Sequence, residues 1–240
     1  MSETQETNRP LTAAAGSWWD VSSITLLADR MAWRLPGCSD LALRMSLCNA
    51  WRQFCDMTEV WRAKLTGALC DCSECDECGA IETVGEESVR RYRLCAPAAS
   101  HIKNVFGVYV NDGHIENNGY NWFVRETQCC GTVVELFSGI TDAGEDVVKA
   151  VCSIVPDDGG ESVPSRLMRK YGPVIVSGAL YPLLGQSGKA WSDAAIAQVE
   201  LANWNAGLSE ASLDGIVSDK NGASDRTNGR RVNVIPYGVL

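Results

Sequence analysis

The spacing of apolar residues changes twice along this 240-residue chain, and any fold it adopts must accommodate both changes. Between Ser39 and Thr58, Leu43, Leu47, Ala50, Trp51 and Phe54 recur at steps of three and four, which places them on one face of a helix. Arg44, Asn49, Arg52 and Asp56 fall mostly on the other face, and Ser39 or Asp40 can cap the first turn. The following hundred residues or so are short β-branched and aromatic runs: VRRYRLCAP, HIKNVFGVYVND, YNWFVRE, GTVVELFS and DVVKAVCSIVP. Pro97, Asn111-Asp112-Gly113, Gly119, Gly131 and Asp142–Gly144 separate them, and Asp-Gly is a hairpin signal. The middle of the chain is therefore expected to be an antiparallel β domain.

Helical spacing returns with Pro164, which suits a first turn, and continues through Leu167, Tyr171, Ile175, Ala179 and Leu183. Gly178 and Ala179 are small enough for a neighbouring helix to approach closely, and Pro182 is expected to kink or end the helix. After GQSGKA, Ser192 is expected to cap a second helix. Its apolar stripe reads Ile196, Val199, Ala202, Ala206 and Leu213, interrupted near Gly207. The chain closes on a polar linker and the alternating run Arg231-Val232-Asn233-Val234-Ile235. That strand can pair with the chain's own β domain or add to a sheet edge on another chain. The expected class is α+β: a flexible arm at 1–16, helical segments at 17–60 and 164–218, a β domain at 61–163 between them, and a C-terminal linker and strand at 219–240.

Composition excludes several functions. A net charge of −9, with no run of Lys or Arg longer than two, repels phosphate and argues against sequence-specific DNA binding. With 45% apolar and 21% charged residues the chain can build a core and is not of the disordered class. No apolar run approaches the roughly 20 residues that cross a bilayer, so no membrane association is expected. The opening MSETQETNRPLTAAAG lacks the basic-then-apolar order of a secretory signal, so synthesis and folding in the cytoplasm are expected.

A search for catalytic chemistry finds little. His101 and His114 accompany no recognisable nucleophile motif and are expected to play solvated or hydrogen-bonded structural roles. Gly185-Gln186-Ser187-Gly188-Lys189-Ala190 departs from a phosphate-binding loop in its first glycine, in Ala190 where a hydroxyl is needed, and in the helix expected before it. The pairs Asp157-Asp158 and Glu86-Glu87 are expected to be solvated. No catalytic residue and no cofactor is expected; the chain does not read as an enzyme. Of its eleven cysteines, Cys48, Cys55, Cys95 and Cys152 are expected to pack as small hydrophobes. Cys70, Cys72, Cys75 and Cys78, in CDCSECDEC, are the candidate metal ligands, for zinc. All four lie in one short loop, and the carboxylates of Asp71, Glu74, Asp76 and Glu77 oppose thiolate formation. Free thiols, disulfides formed after lysis and a zinc site stay open as alternatives.

Three stretches carry a resemblance. They are LPGCSDLALRMSLCNAWRQFCDMTEVWRAKL, YRLCAPAASHIKNVFGVYVNDGHI and VPSRLMRKYGPVIVSGALYPLLGQSGKAWSDAAIAQVELANWNAGLSEA. In order and separation they resemble the head-to-tail adaptors of podoviruses, the tail tubular protein A-like connector family of short-tailed bacteriophages. The resemblance implies a helical bundle built from both ends of the chain with the β domain inserted. It implies a homo-oligomeric, dodecameric ring in the virion neck, between the portal protein and the tail nozzle protein, through which DNA passes unread. By the same analogy the tail around Arg230, Arg231, Val232, Val234, Ile235 and Tyr237 docks into the portal or a neighbouring subunit. The cysteine loop departs from the family pattern. Trp18, Trp19 and Trp204 serve as interface anchors or as core. The alternatives are another tail or capsid accessory protein, or a zinc-binding protein using the 70–78 cysteines.

Overall fold

In a computed structural model the described residues are 21–70, 83–84, 87–117, 121–127, 131–137, 146–222 and 232–233. The chain enters through strand β1 (Val21–Ser23), a 3-10 turn (Ile24–Leu27) and a short helix α1 (Ala28–Ala32), then forms the long helix α2 (Asp40–Thr58). Strands β2 (Arg62–Leu69), β3 (Thr83–Val84), β4 (Glu87–Leu94), β5 (Ser100–Val110) and β6 (Gly113–Ile115) follow. Next come β7 (Trp122–Thr127), β8 (Gly131–Phe137), β9 (Val148–Pro156) and β10 (Ser162–Pro164). Helices α3 (Ser165–Leu184) and α4 (Ala194–Gly222) and strand β11 (Val232–Asn233) complete it. The protein is α+β.

Helix α2 begins where the Ser39 hydroxyl accepts the Ala42 N–H at 3.3 Å. Leu43, Leu47, Ala50, Trp51 and Phe54 are all buried, as their spacing requires. The helix stops at Glu59, which takes the left-handed conformation (φ 52°) and donates its N–H to the Cys55 carbonyl at 2.9 Å.

The five β-rich runs form β4, β5, β7, β8 and β9 of an antiparallel sheet in the order β11-β5-β9-β2-β4-β8-β7. Short strands β3 and β6 pair with β4 and β5. Asn111 and Asp112, both at positive φ, make the two-residue turn between β5 and β6. Across β4 and β8, Arg91 lies opposite Glu135 and donates to its carboxylate at 2.9 Å, so two buried charges pair. A separate ladder pairs β1 with β10 and holds the N-terminal entry against the start of α3. Its three-residue strands carry no periodic signal, and the sequence gives no warning of it.

Phe54 is where the three long helices meet. Its ring lies 5.1 Å from Tyr171 of α3, 5.8 Å from Trp204 of α4 and 6.2 Å from Trp51 of its own helix. Trp51 in turn stacks on Trp61 at 5.7 Å and donates its indole N–H to the Ser162 carbonyl at 3.2 Å. The apolar core therefore runs without a break from the helices into the sheet. The close approach expected at Gly178 occurs: a Cβ there would overlap the Trp204 ring, and one at Gly207 would overlap Val174. Trp204 is thus a core residue, 4% exposed. Arg34, beyond α1, reaches the buried Glu200 of α4. Burial alone would raise the Glu200 pKa, but hydrogen bonds from Ser177 and Arg34 outweigh it and hold the carboxyl below its usual range.

Several expectations need correction. Pro164 closes β10, one residue before α3. Pro182 lies inside α3, which ends two residues later at Leu184. Asp193, not Ser192, caps α4: its carboxylate accepts the N–H groups of Ala195 and Ile196, both at 3.0 Å. Ser192 instead donates to the carbonyls of Leu184, at the end of α3, and of Gln186 in the loop that follows. Cys95 is exposed, while Cys48, Cys55 and Cys152 are buried. The expected stripe of α4 is the largest error: Ile196, Val199 and Leu213 are 41%, 58% and 64% exposed, and Ala202 and Ala206 are exposed with them. The buried positions are Ala197, Glu200, Trp204, Leu208 and Ala211. At about 100° per residue the two sets fall on roughly opposite sides of the helix. Gly207 does not interrupt α4, since it is one of its packing positions against α3.

Candidate functional site

The C-terminal strand finds its place through two residues of β5. Val232 pairs with Val105 and Asn233 with Asn104, antiparallel and within one chain. Asn104 is deeply buried at this point and fixed from two directions. Its N–H donates to the Ser153 hydroxyl of β9 at 3.1 Å, and its side-chain amide donates to the Glu59 carboxylate at the end of α2. The seat for β11 is therefore built on the residue that ties the end of α2 to the sheet. Arg230, Arg231, Val234, Ile235 and Tyr237 lie outside the described residues.

The cysteine loop begins at the end of β2. Cys70 is half-buried, and its backbone N–H donates to the Arg91 carbonyl at 2.9 Å. Cys72, Cys75 and Cys78 lie outside the described residues. Among the described residues no three His, Cys, Asp or Glu side chains gather as a metal site.

An open cleft of about 400 Å³ forms where α2 passes the start of β5 and the end of β9, lined by Asn49, Arg52, Gln53, Asp56, His101 and Val155. Its charges are paired. His101 Nδ1 lies 2.8 Å from Asp157, Arg52 bonds Asp158, and Lys103 lies 2.7 Å from Asp56. Asp157 and Asp158, half-exposed and largely exposed as expected of solvated carboxylates, also tie the loop after β9 to β5 and α2. No hydroxyl or thiol stands among these lining residues, so the His101–Asp157 pair has no nucleophile to activate there. His114 packs edge-on against Tyr109 at 5.1 Å.

The remaining feature is apolar surface on the helices. The outer side of α4 presents Ile196, Val199, Ala202, Ala206 and Leu213; α2 exposes Leu41, Met45 and Met57. Near α1, Trp33 is 76% exposed, with the Arg34 guanidinium 5.9 Å from its ring centre. Trp18 and Trp19 lie outside the described residues. Sequence reasoning found the α4 stripe and gave it to the wrong side; the exposed side of α2 carried no periodic signal of its own. Among the described residues no helix is long and apolar enough to cross a membrane. No protein-family model matches the chain, and no curated protein matches it.

Proposed function

We propose that this chain is a structural head-to-tail adaptor, a ring subunit that docks beneath the portal of a short-tailed bacteriophage and receives the tail nozzle. The observation that carries the reading is the outer side of α4. A long helix that is apolar on two opposite sides belongs between two packed partners. One side rests on α3 and α2; the other, with Val199 and Leu213, stays exposed among the described residues. Neighbouring subunits of a ring supply that second partner. The resemblance of three stretches, from Leu35 to Ala211, names the partners as the portal and the nozzle.

In this reading the segments 17–60 and 164–218 form the ring's helical bundle, and the β domain at 61–163 hangs from it. The C-terminal residues Arg230 to Tyr237 are the docking element. The protein acts in the virion neck and lets DNA pass without reading it. It uses no catalytic residue and no cofactor, and zinc at the 70–78 cysteines is not required.

The test is a pair of substitutions on opposite sides of one helix. Val199→Asp with Leu213→Asp should leave stability within about 0.5 kcal/mol, because both sites are solvated in the subunit. The same protein should no longer co-elute with portal rings. Leu208→Asp, on the buried side, should unfold the subunit. Wild-type co-elution by the outer-side variant would contradict the reading.

A further inference from the structure

Along the outer side of α4, six exposed residues follow one another at steps of four and three: Ala195, Val199, Ala202, Ala206, Ser209 and Leu213. That is the repeat of a helix-to-helix seam. Val199, Ala206 and Leu213 hold one kind of core position in it, and Ala195, Ala202 and Ser209 hold the other. Over about five turns a second helix matches this spacing, whereas a loop or a sheet does not. Ser209 is the polar member. Its hydroxyl already donates to the Asn205 carbonyl at 3.0 Å, so covering it leaves no bond unmade. From Ala194 to Leu213 the exposed part of α4 carries one charge, Glu210, on the flank of the seam that it shares with Ile196 and Asn203.

The order of side-chain sizes selects the partner. Laid antiparallel on itself about a two-fold axis, the seam sets Leu213 against Ala195, Val199 against Ser209 and Ala202 against Ala206. Each large side chain then meets a small one. Laid parallel, it sets Leu213 against Leu213 and Val199 against Val199, with only alanines between them, and the middle of the seam is left open. Charge agrees with the antiparallel order. There the residue across from Glu210 is Ile196 of the other copy, in the first turn of its α4. Each Glu210 carboxylate thus sits at the positive end of the other helix's dipole. Asp193 caps that same turn through Ala195 and Ile196, so the gain is modest.

We infer that, away from the portal, two copies pair antiparallel through the outer sides of their α4 helices, with Leu213 of each against Ala195 of the other. This goes beyond the ring described above, because a two-fold contact closes at two chains and builds no ring. A ring neighbour and this second copy need the same side of α4, so they exclude each other. The pair therefore keeps the apolar side covered until a portal is met. That role rests on the adaptor reading; the pairing itself does not. An alanine-rich seam buries little area, so the two copies separate readily.

Sedimentation equilibrium of the full chain, without portal, tests the pairing. Wild type should reach a two-chain mass reversibly, and Val199→Asp with Leu213→Asp should stay a single chain. Register is read from charge at position 196. Ile196→Lys sets an ammonium against Glu210 of the other copy twice per pair, and Ile196→Glu sets like charges there. The first should pair about tenfold more tightly than the second. Adding Glu210→Lys to both should reverse their order. All of these variants should keep the far-ultraviolet circular dichroism of wild type, since both positions are exposed. A chain that stays single at every concentration would overturn the inference, and so would a pair indifferent to the charge at 196. Pairs that form in protein that portal rings do not take up would keep the inference and remove the adaptor reading. Single chains that load portal rings would do the reverse.

Discussion

The side-chain amide of Asn104, in the middle of β5, donates to the carboxylate of Glu59, the left-handed residue that ends α2. Both groups are buried, and the backbone of Asn104 also receives Asn233 of the C-terminal strand. One residue thus joins the helix end, the sheet and the tail.

Asn104→Ala removes a donor from a buried carboxylate and should cost about 2 kcal/mol, the range for hydrogen bonds to charged groups. Urea denaturation measures it. Glu59→Gly should also destabilise, although glycine suits a left-handed helix end, because the carboxylate is lost with the side chain. A Glu59→Gly protein more stable than wild type would show that the backbone strain outweighs the Asn104 bond.

Gly178→Ala should separate α3 from α4. The added Cβ falls on the Trp204 ring, and overpacking of this kind costs about 1–3 kcal/mol. Trp204→Leu alone should destabilise by leaving a void beside Phe54. The double variant should lose less than the sum of the two, since the smaller side chain makes room for the methyl group. Strict additivity in denaturant unfolding would mean the two residues do not share the contact.

Tyr171 and Asp214 should give stability a pH dependence at both extremes. Burial, with the hydrogen bond to Asp214 at 2.5 Å, pushes the Tyr171 hydroxyl up to about 12. A raised pKa means that stability is intact below the ordinary tyrosine value near 10 and falls as pH rises toward 12. Tyr171→Phe should flatten that fall, read as Tm between pH 9 and 12. Hydrogen bonds from Lys170 and then Tyr171 hold the Asp214 carboxyl below its usual range. Its contribution is present above pH ~4 and lost as pH falls further. Asp214→Asn should therefore differ from wild type at pH 6 and converge with it near pH 2.

Thiol labelling should separate the cysteines by burial. Cys95 is exposed and should react with N-ethylmaleimide at once in the native protein. Cys55 is completely buried, its thiol pushed well up by burial, and burial raises Cys152 to about 12. Both should label only after unfolding, as peptide mass spectrometry would show. Rapid labelling of Cys152 in folded protein would contradict the core described here.

Legibility in the sequence followed how many faces each element buries. Helix α2 repeats its apolar residues regularly only on its buried side, so the spacing of Leu43, Leu47, Trp51 and Phe54 located both the helix and its core. Helix α4 is apolar on two sides, and spacing alone cannot choose between Val199 and Trp204; the decision belongs to Gly178, one helix away. The cap of α4 was ambiguous for a similar reason, because Ser192 and Asp193 are both good caps and the carbonyls of Leu184 and Gln186 claimed the serine. The strands were legible from their β-branched runs. The β1–β10 ladder was not, being three residues long and dependent on two distant segments that meet only in the fold. The same holds for the cleft: nothing near His101 in sequence announces Asp157 or Arg52 as neighbours.

The central claim is that this chain assembles on a portal. Mass photometry of intact portal rings, with and without the protein, tests it directly. The account predicts a discrete gain, in whole multiples of the 26.0 kDa subunit, that saturates at one complete ring per portal. Portal rings whose mass stays unchanged at saturating protein would contradict it.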